Sequence, residues 1–280
     1  MIDAICTYGK SRTVYSILVF QNLPEADIDK LRQSLLCPEC GEPAYYRRAS
    51  IDGKAACFGS RYHREGCTEY RSSPQRESEL KDSTEVSKIL LETKEILFDF
   101  SGSSSQQSKA TIIPKVSKGT KSNLNIQKIS TSNESSSRKA KINFSKALSS
   151  LLRGSNLAES SVLIEIDAGY KFKAKNLFVN FSDAVATVAA KDAKPKMYWG
   201  TISHSDSKIE WLNPADCVDV GISIKRYRKD ITERFNVRDR RDLEGAGIIL
   251  FGKCFWNSKK NRKIIELWNL DRVYISKLNN

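Results

Sequence analysis

The pattern of apolar and polar residues changes twice along the 280-residue chain. Residues 1–100 mix strand-like runs with helical periods, residues 101–145 show no sustained period, and residues 146–280 carry mostly short β-branched and aromatic runs. A segment with few apolar residues cannot offset the entropy lost on ordering it. The pattern therefore predicts an α+β protein: a small N-terminal α/β module at 1–100, a basic, Ser-rich disordered linker at 101–145 and a β-rich domain at 146–280.

Short apolar periods predict the elements of the N-terminal module. A strand is indicated over 12–20, where β-branched and aromatic residues cluster. A helix is predicted from Pro24, and a second helix from Asp82 as its N-cap. Between these helices, Asp-Gly separates two strand-like runs and predicts a hairpin over 44–59.

Strand patterns dominate the C-terminal domain, after one short helix predicted at 144–152. The predicted strands are 162–166, 171–179, 184–189, 197–202, 208–212, 218–224, 247–256 and 262–268. Two pairs form hairpins, 198–202 with 209–212 and 251–256 with 264–268. Many short strands with few helical patterns between them predict a mostly antiparallel β-barrel, OB-like in type, or a sandwich.

Four residues of the types that bind zinc lie close together in the N-terminal module. Cys37 and Cys40 form a C-x2-C pair, and after 22 residues His63 and Cys67 form an H-x3-C pair. Two close pairs can fill the tetrahedral positions around one Zn²⁺, and three thiolates with one imidazole leave no open position for a substrate. The spacing therefore predicts a structural Zn²⁺ site, with Cys57 as an alternative to His63 or Cys67.

With these two ligand pairs, residues 37–67 resemble a zinc finger of the zinc-ribbon or treble-clef type. The resemblance covers only that segment. It implies contact with nucleic acid or with protein, and the long interval between the pairs does not imply a base-reading recognition helix.

The positive charge of the chain is unevenly distributed. The whole sequence has 46 Lys and Arg against 33 Asp and Glu, a net charge of +13. Residues 1–100 hold 14 basic and 16 acidic residues, residues 101–145 hold 8 and 1, and residues 146–280 hold 24 and 16. Because basic residues release counterions from a phosphate backbone, this surplus predicts a nucleic-acid partner. An acidic protein partner is the alternative.

Basic clusters identify the residues that we expect to contact nucleic acid. Arg47 and Arg48 lie on the predicted hairpin, and with Lys54, Arg61 and Arg64 they can form one basic face. Among Tyr198, Trp199, Trp211, Trp256 and Trp268, which are candidates for stacking on bases, Trp256 lies nearest to a basic hairpin tip. The expected contacts in the C-terminal domain are Lys225, Arg226, Arg228, Lys229, Arg234, Arg238, Arg240, Arg241, Trp256, Lys259, Lys260, Arg262 and Lys263.

Other sequence features favour a binding role in the cytoplasm. The first residues lack the apolar core of a secretory signal, and no apolar run approaches about 18 residues, so we expect a cytoplasmic protein without a membrane partner. Asp82 with Glu92 and Lys94 has the spelling of a Mg²⁺-dependent nuclease but falls on a helical pattern, and no phosphate-binding loop or nucleophile motif occurs. The sequence therefore favours a non-catalytic nucleic-acid-binding protein. A metal-dependent nuclease or nuclease subunit and a protein–protein adaptor remain alternatives.

Overall fold

The computed structural model describes residues 1–9, 11–50, 53–64, 66–100, 140–167 and 169–278. It confirms the mixed helix and strand content, the small N-terminal module and the C-terminal barrel. Within the described ranges, no helix combines the length and apolar character needed to cross a membrane.

The N-terminal module is built on a five-stranded antiparallel sheet with the order β2-β1-β3-β4-β5. Its elements are β1 (Asp3–Cys6), β2 (Thr13–Ser16), α1 (Ile17–Phe20), α2 (Glu25–Leu31), β3 (Leu35–Leu36), β4 (Pro43–Arg47) and β5 (Cys57–Gly59). The rings of Phe20, Tyr46 and Phe58 form its core, with centroids 5.0 and 5.3 Å from Phe20. The predicted hairpin is confirmed as β4 and β5. The predicted strand over 12–20 ends at Ser16, because the Ser16 side chain accepts the Val19 N–H and caps α1.

A four-stranded sheet with two helices follows the metal-ligand segment. Its elements are α3 (Pro74–Glu92), β6 (Glu95–Asp99), β7 (Ala140–Asn143), α4 (Phe144–Leu152), β8 (Leu163–Ile166) and β9 (Tyr170–Lys173). The strand order is β7-β6-β8-β9, and β6 is parallel to both of its neighbours. Helix α3 begins eight residues before the predicted Asp82 cap, because Ser73 accepts the Arg76 N–H and Pro74 suits the first helical position.

The segment predicted as a linker lies mostly outside the described residues. Residues 101–139 are among those not described. Residues 140–145, which we also assigned to the linker, form β7 and the start of α4. Strands from both sides of 101–139 therefore share one sheet.

Five strands close into a barrel in the C-terminal part. The elements are α5 (Ala174–Leu177), β10 (Phe178–Asn180), β11 (Lys196–Ser205), β12 (Trp211–Pro214), β13 (Val220–Ser223), α6 (Arg228–Arg234), β14 (Gly247–Asn257), β15 (Arg262–Leu267) and β16 (Val273–Ser276). The order is β11-β12-β13-β15-β14 and back to β11, with β13 and β15 parallel and the other neighbours antiparallel. This Greek-key connectivity confirms the OB-like barrel.

Both predicted hairpins of the barrel are confirmed, as β11 with β12 and β14 with β15. Two other predicted strands are wrong in detail. Residues 171–179 are divided between β9, α5 and β10, and residues 184–189 make only one isolated bridge, from Thr187 to Phe255.

Strand β14 separates two hydrophobic cores. Ile248 and Leu250 point into the barrel, whereas Ile249 and Phe251 pack outside it with Leu148 of α4. Because both faces of this strand are buried, its sequence reads as a continuous apolar run without alternation.

Candidate metal centre and nucleic-acid interface

The four predicted zinc ligands converge at one end of the N-terminal module. Their ligand atoms all lie within 4.8 Å of one another. Cys37 Sγ is 3.9 Å from Cys67 Sγ, and His63 Nδ1 is 3.5 Å from Cys40 Sγ and 3.4 Å from Cys67 Sγ. This cluster can hold a metal ion.

These separations match a tetrahedral site. With metal–sulfur and metal–nitrogen bonds of about 2.3 and 2.05 Å, tetrahedral angles place two sulfurs about 3.8 Å apart and a sulfur and a nitrogen about 3.6 Å apart. Three distances, Cys37 to Cys67, Cys40 to His63 and Cys67 to His63, agree with these values to within a few tenths of an ångström, and all ligand atoms lie within 4.8 Å of one another.

The first ligand pair lies on the turn between β3 and β4. The Gly41 N–H donates to Cys37 O at 2.9 Å, and the Cys37 N–H donates to Glu42 O at 2.9 Å, which closes the turn. Burial raises the pKa of the Cys37 thiol to about 11. Burial also acts on Cys40, but backbone N–H groups of Glu42 and Arg64 outweigh it and lower the pKa of that thiol. The backbone therefore favours the thiolate form of Cys40, whereas the Cys37 thiol needs a nearby cation to lose its proton.

The second ligand pair is fixed from outside the module. Arg61, two residues before His63, is buried and donates to Gly245 O and Ser276 O of the C-terminal part, both at 2.9 Å. The Arg76 guanidinium donates to His63 O at 3.1 Å. Burial and the neighbouring charge of Arg76 lower the pKa of His63, so its imidazole is neutral, as a metal ligand must be.

Cys57 is not part of the cluster. It lies on β5, paired with Arg47, whereas His63 and Cys67 complete the group with the first pair. The fold therefore brings together the ligand set with His63 and Cys67, and not the alternative set with Cys57.

Two hairpin turns of the barrel border the β12–β13 face, one beyond the Ser223 end of β13 and the other beyond its Val220 end. The β11–β12 turn spans 206–210 and the β14–β15 turn spans 258–261. Lys260 Nζ lies 3.6 Å from the ring centroid of Trp211, the first residue of β12. The Asp206 carboxylate accepts two backbone N–H groups at the start of β12, at 2.7 and 2.9 Å, and fixes the first turn. In OB-folds these two loops border the face that binds oligonucleotides.

A basic segment lies against the first turn. The Arg228 guanidinium donates to Lys208 O at 3.1 Å, and Lys225 Nζ is 3.8 Å from a Glu210 carboxylate oxygen. We call the basic and aromatic residues that border the β12–β13 face, together with Trp211, the tip face. Its members are Lys208, Trp211, Lys225, Arg226, Arg228, Lys229, Lys259 and Lys260. Every one of these except the half-buried Trp211 is exposed.

Arg262 and Lys263 lie at the base of the second turn. Arg262 crosses the outside of Gly221, donates to Asn213 Oδ1 at 3.2 Å and also donates to Val220 O. A Cβ on Gly221 would lie 3.0 Å from the guanidinium carbon, so glycine leaves room for this side chain. Lys263 Nζ is 2.9 Å from an Asp219 carboxylate oxygen. These two cations lie beside the tip face but are engaged by the barrel itself.

The remaining predicted basic contacts are dispersed. Arg48 pairs with Glu25 and Glu244, and its side chain is 12% exposed. Arg240 also pairs with Glu25, at 2.9 Å, and Arg234 donates to Leu270 O at 2.8 Å. Arg47 is half-buried on β4, and exposed residues Arg238 and Arg241 lie between α6 and β14. Arg61, expected on the same basic face as Arg48, is buried. Nucleic-acid contact by these residues stays a prediction.

The aromatic candidates also differ in position. Tyr198 is buried inside the barrel, and Trp199 is half-buried outside it. Trp268 is 49% exposed beside Lys253, at the opposite end of β15 from the basic turn. Trp256 is 41% exposed near the base of that turn, so among the five candidates Trp211 and Trp256 lie closest to the basic β14–β15 turn.

The residues with a nuclease-like spelling are not gathered around one point. Asp82 and Glu92 lie on the same helix, ten residues and therefore about 15 Å apart. Within the part of the chain that the structure describes, the Cys and His cluster is the one group of potential ligands that can hold a metal ion.

Lys208 is the member of the tip face that sequence reasoning missed. It is a single lysine outside any run of charged residues, so its sequence position alone does not mark it as a contact. The fold places it in the β11–β12 turn, where its carbonyl oxygen accepts from Arg228. Its position in the turn of a predicted barrel hairpin was the available signal.

Comparisons of this chain with protein-family models, with curated proteins and with solved structures find no match.

Proposed function

We propose that this protein binds a strand of nucleic acid along its tip face and catalyses no reaction on it. The observation that carries the proposal is the contact of Lys260 with Trp211, in which a side chain of the β14–β15 turn reaches across the barrel face to the first residue after the β11–β12 turn. Two loops that are far apart in sequence thereby present cations and an aromatic ring on one face of an OB-like barrel.

The chemistry of the tip face suits a phosphodiester strand. Its lysines and arginines are exposed and come from three separate segments, so they can follow a backbone that carries a negative charge at every nucleotide. Trp211 offers a ring beside these charges, and bases of any sequence can stack on such a ring. This combination favours an unpaired strand, because the bases of a duplex are not available for stacking.

We infer that the metal ion is Zn²⁺ and that its role is structural. Three thiolates with one imidazole are a common donor set for Zn²⁺, and they occupy all four positions of a tetrahedral site. Through Arg61 the second ligand pair is joined to the barrel, so a metal ion that orders this pair also orders the contact between the module and the barrel.

A binding titration of the full chain tests the proposal. Fluorescein-labelled single strands and duplexes of DNA and RNA, about 20 nucleotides long, are titrated at about 50 and 200 mM salt. We expect single strands to bind more tightly than duplexes, and the affinity to fall steeply with salt. Absence of binding to every polynucleotide at the lower salt concentration contradicts the proposal.

Charge-neutral variants locate the contact. The double substitution K259Q/K260Q and the triple substitution R226Q/R228Q/K229Q should each weaken binding and reduce the salt slope by about 0.7 for every phosphate contact removed. The matched control is K173Q/K175Q, which removes two exposed lysines from the four-stranded sheet region and should leave the slope unchanged. Equal slopes for all variants would exclude the tip face.

The alternatives give different results in the same experiment. An adaptor for an acidic protein would ignore nucleic acid at moderate salt. A nuclease would shorten the labelled strand when Mg²⁺ is added, and intact strands after long incubation would argue against it.

A further inference from the structure

A second candidate site lies away from the tip face. A pocket of about 790 Å³ opens between the metal centre, helices α3 and α4, and the outside of β11. Volumes of this size are typical of sites for small organic ligands. Its walls combine cationic with apolar side chains, and the ones that matter here are Arg64, Arg76, Arg153, Leu80, Leu152 and Trp199.

The pocket has more positive than negative charge. Glu79 is shared by two guanidinium groups, because Arg61 Nη1 lies 2.7 Å from one of its oxygens and Arg153 Nε lies 2.9 Å from the other. Arg76, whose guanidinium also donates to His63 O, adds a third positive charge. Glu42, which also lines the pocket, pairs with the exposed Arg64 at 2.6 Å. Glu79 is then the one described carboxylate that offsets the three buried or half-buried arginines, and an anionic ligand would complete the balance.

Two donors at this pocket lack acceptors. Trp199 Nε1 and Arg76 Nε are buried, and neither has a hydrogen-bond partner among the residues that the structure describes. Buried donors are nearly always paired in folded proteins, because water no longer compensates them. Both residues line the pocket, so a shift of either side chain would bring its donor within reach of an acceptor oxygen or ring nitrogen of a ligand.

The apolar part of the lining suggests the rest of the ligand. Leu80, Leu152 and Trp199 offer contacts to a flat ring, and Tyr70 lies beneath the Arg76 guanidinium at 3.8 Å from its ring centroid. A phosphate alone would leave this surface uncovered, and an apolar molecule would leave the arginines unbalanced. A nucleobase joined to a phosphate has both properties.

We propose that this pocket binds a nucleoside phosphate, with the phosphate at Arg76 and the base against Trp199. The ligand is either a free nucleotide or one unpaired or terminal nucleotide of a bound strand. The second source rests on the proposed function, whereas the first does not.

Isothermal titration of the full chain with adenosine 5′-monophosphate, adenosine and inorganic phosphate tests the site. We expect saturable binding of the monophosphate, with adenosine and phosphate each bound at least about tenfold more weakly. Competition by a 5′-phosphorylated oligonucleotide would identify a strand as the source, and its failure to compete would identify a free nucleotide. Equal affinity for adenosine and its monophosphate, or no binding of the monophosphate at about millimolar concentration, would overturn the proposal.

Two variants separate the site from general effects. Arg76→Gln should weaken the monophosphate about tenfold, and Trp199→Phe, which keeps an aromatic ring but loses the N–H, about fivefold. Arg12→Gln, an exposed arginine in the N-terminal module, is the matched control and should bind as the parent does. If Arg76→Gln lowers the melting temperature, Trp199→Phe decides; parent-like affinity in a folded Trp199→Phe variant counts against the site.

The outcome is also distinguishable from failure of the proposed function. Oligonucleotide binding without monophosphate binding contradicts only the proposed nucleotide site in the pocket. Monophosphate binding without oligonucleotide binding contradicts only the proposed strand binding at the tip face.

Discussion

Arg32 and Glu244, 212 residues apart, form a fully buried ion pair between the N-terminal module and the barrel. Arg32 Nη2 lies 2.7 Å from a Glu244 carboxylate oxygen, and the two side chains are 0% and 1% exposed. The same guanidinium donates to Ser203 O of β11 at 3.1 Å. Arg48 donates to Glu244 through its backbone N–H at 2.8 Å and also through its guanidinium. One carboxylate therefore holds two arginines of the module against the barrel.

Substituting Glu244 by Gln should destabilise the protein by about 3 kcal/mol or more, because two poorly solvated guanidinium groups lose their counter-charge. Urea unfolding at neutral pH measures the change in the free energy of unfolding. Glu233→Gln removes an exposed carboxylate on α6 and should change stability by no more than about 0.5 kcal/mol. Equal effects of the two substitutions would mean that the buried pair contributes nothing specific.

Gly245, which follows Glu244 in the chain, allows a second test, of the close contact between the module and the barrel. Its φ is +77°, and a Cβ there would lie well inside van der Waals contact with the ring of Tyr45. Gly245→Ala should therefore cost about 2–4 kcal/mol, from the left-handed backbone and from the clash. Gly9 has nearly the same φ, +74°, with nothing within 4 Å of its Cβ position, so Gly9→Ala should cost only about 1–2 kcal/mol. Similar losses in chemical unfolding would show that Tyr45 moves aside freely.

The parts of the fold that could be predicted from the sequence are those encoded by patterns of neighbouring residues. The hairpins over 44–59, 198–212 and 251–268 join neighbouring runs through short turns, so each is encoded within a few tens of residues. The metal cluster was predictable for the same reason, since the C-x2-C and H-x3-C spacings fix each pair locally.

Long-range contacts explain what the sequence did not predict. A basic residue is visible in the sequence, but the carboxylate that folding brings to it is not. Arg48 and Arg61 appeared to belong to a basic face, and they are paired with Glu244 and Glu79 instead. The β6 strand was missed because its partners, β7 and β8, follow more than 40 residues later, beyond the reach of local periodicity.

Metal analysis should find one zinc ion per purified chain. Cys67→Ser should abolish stoichiometric binding, because it leaves only three of the four ligands, and should lower the melting temperature, since ion binding and folding of the module are linked. Cys57→Ser is the matched control and should retain the ion, because Cys57 lies outside the cluster. Retention of zinc by Cys67→Ser with loss from Cys57→Ser would reverse the ligand assignment.

The carboxyl group of the half-buried residue Asp216 should make stability depend on pH. Asp216 accepts the Thr201 N–H at 2.9 Å, and burial raises its pKa to about 6, above the usual value of 3.8. A carboxyl with a raised pKa holds its proton more tightly when folded, so its contribution to stability is full below the unfolded pKa and is lost as pH rises through about 6. Between about pH 4.5 and 7.5 this group alone should lower the free energy of unfolding by about 2 kcal/mol. Asp216→Asn keeps the shape and an acceptor but cannot ionise, so the stability of the parent relative to this variant should fall by that amount in urea titrations. A difference that stays constant with pH would show that Asp216 has an ordinary pKa in the folded protein.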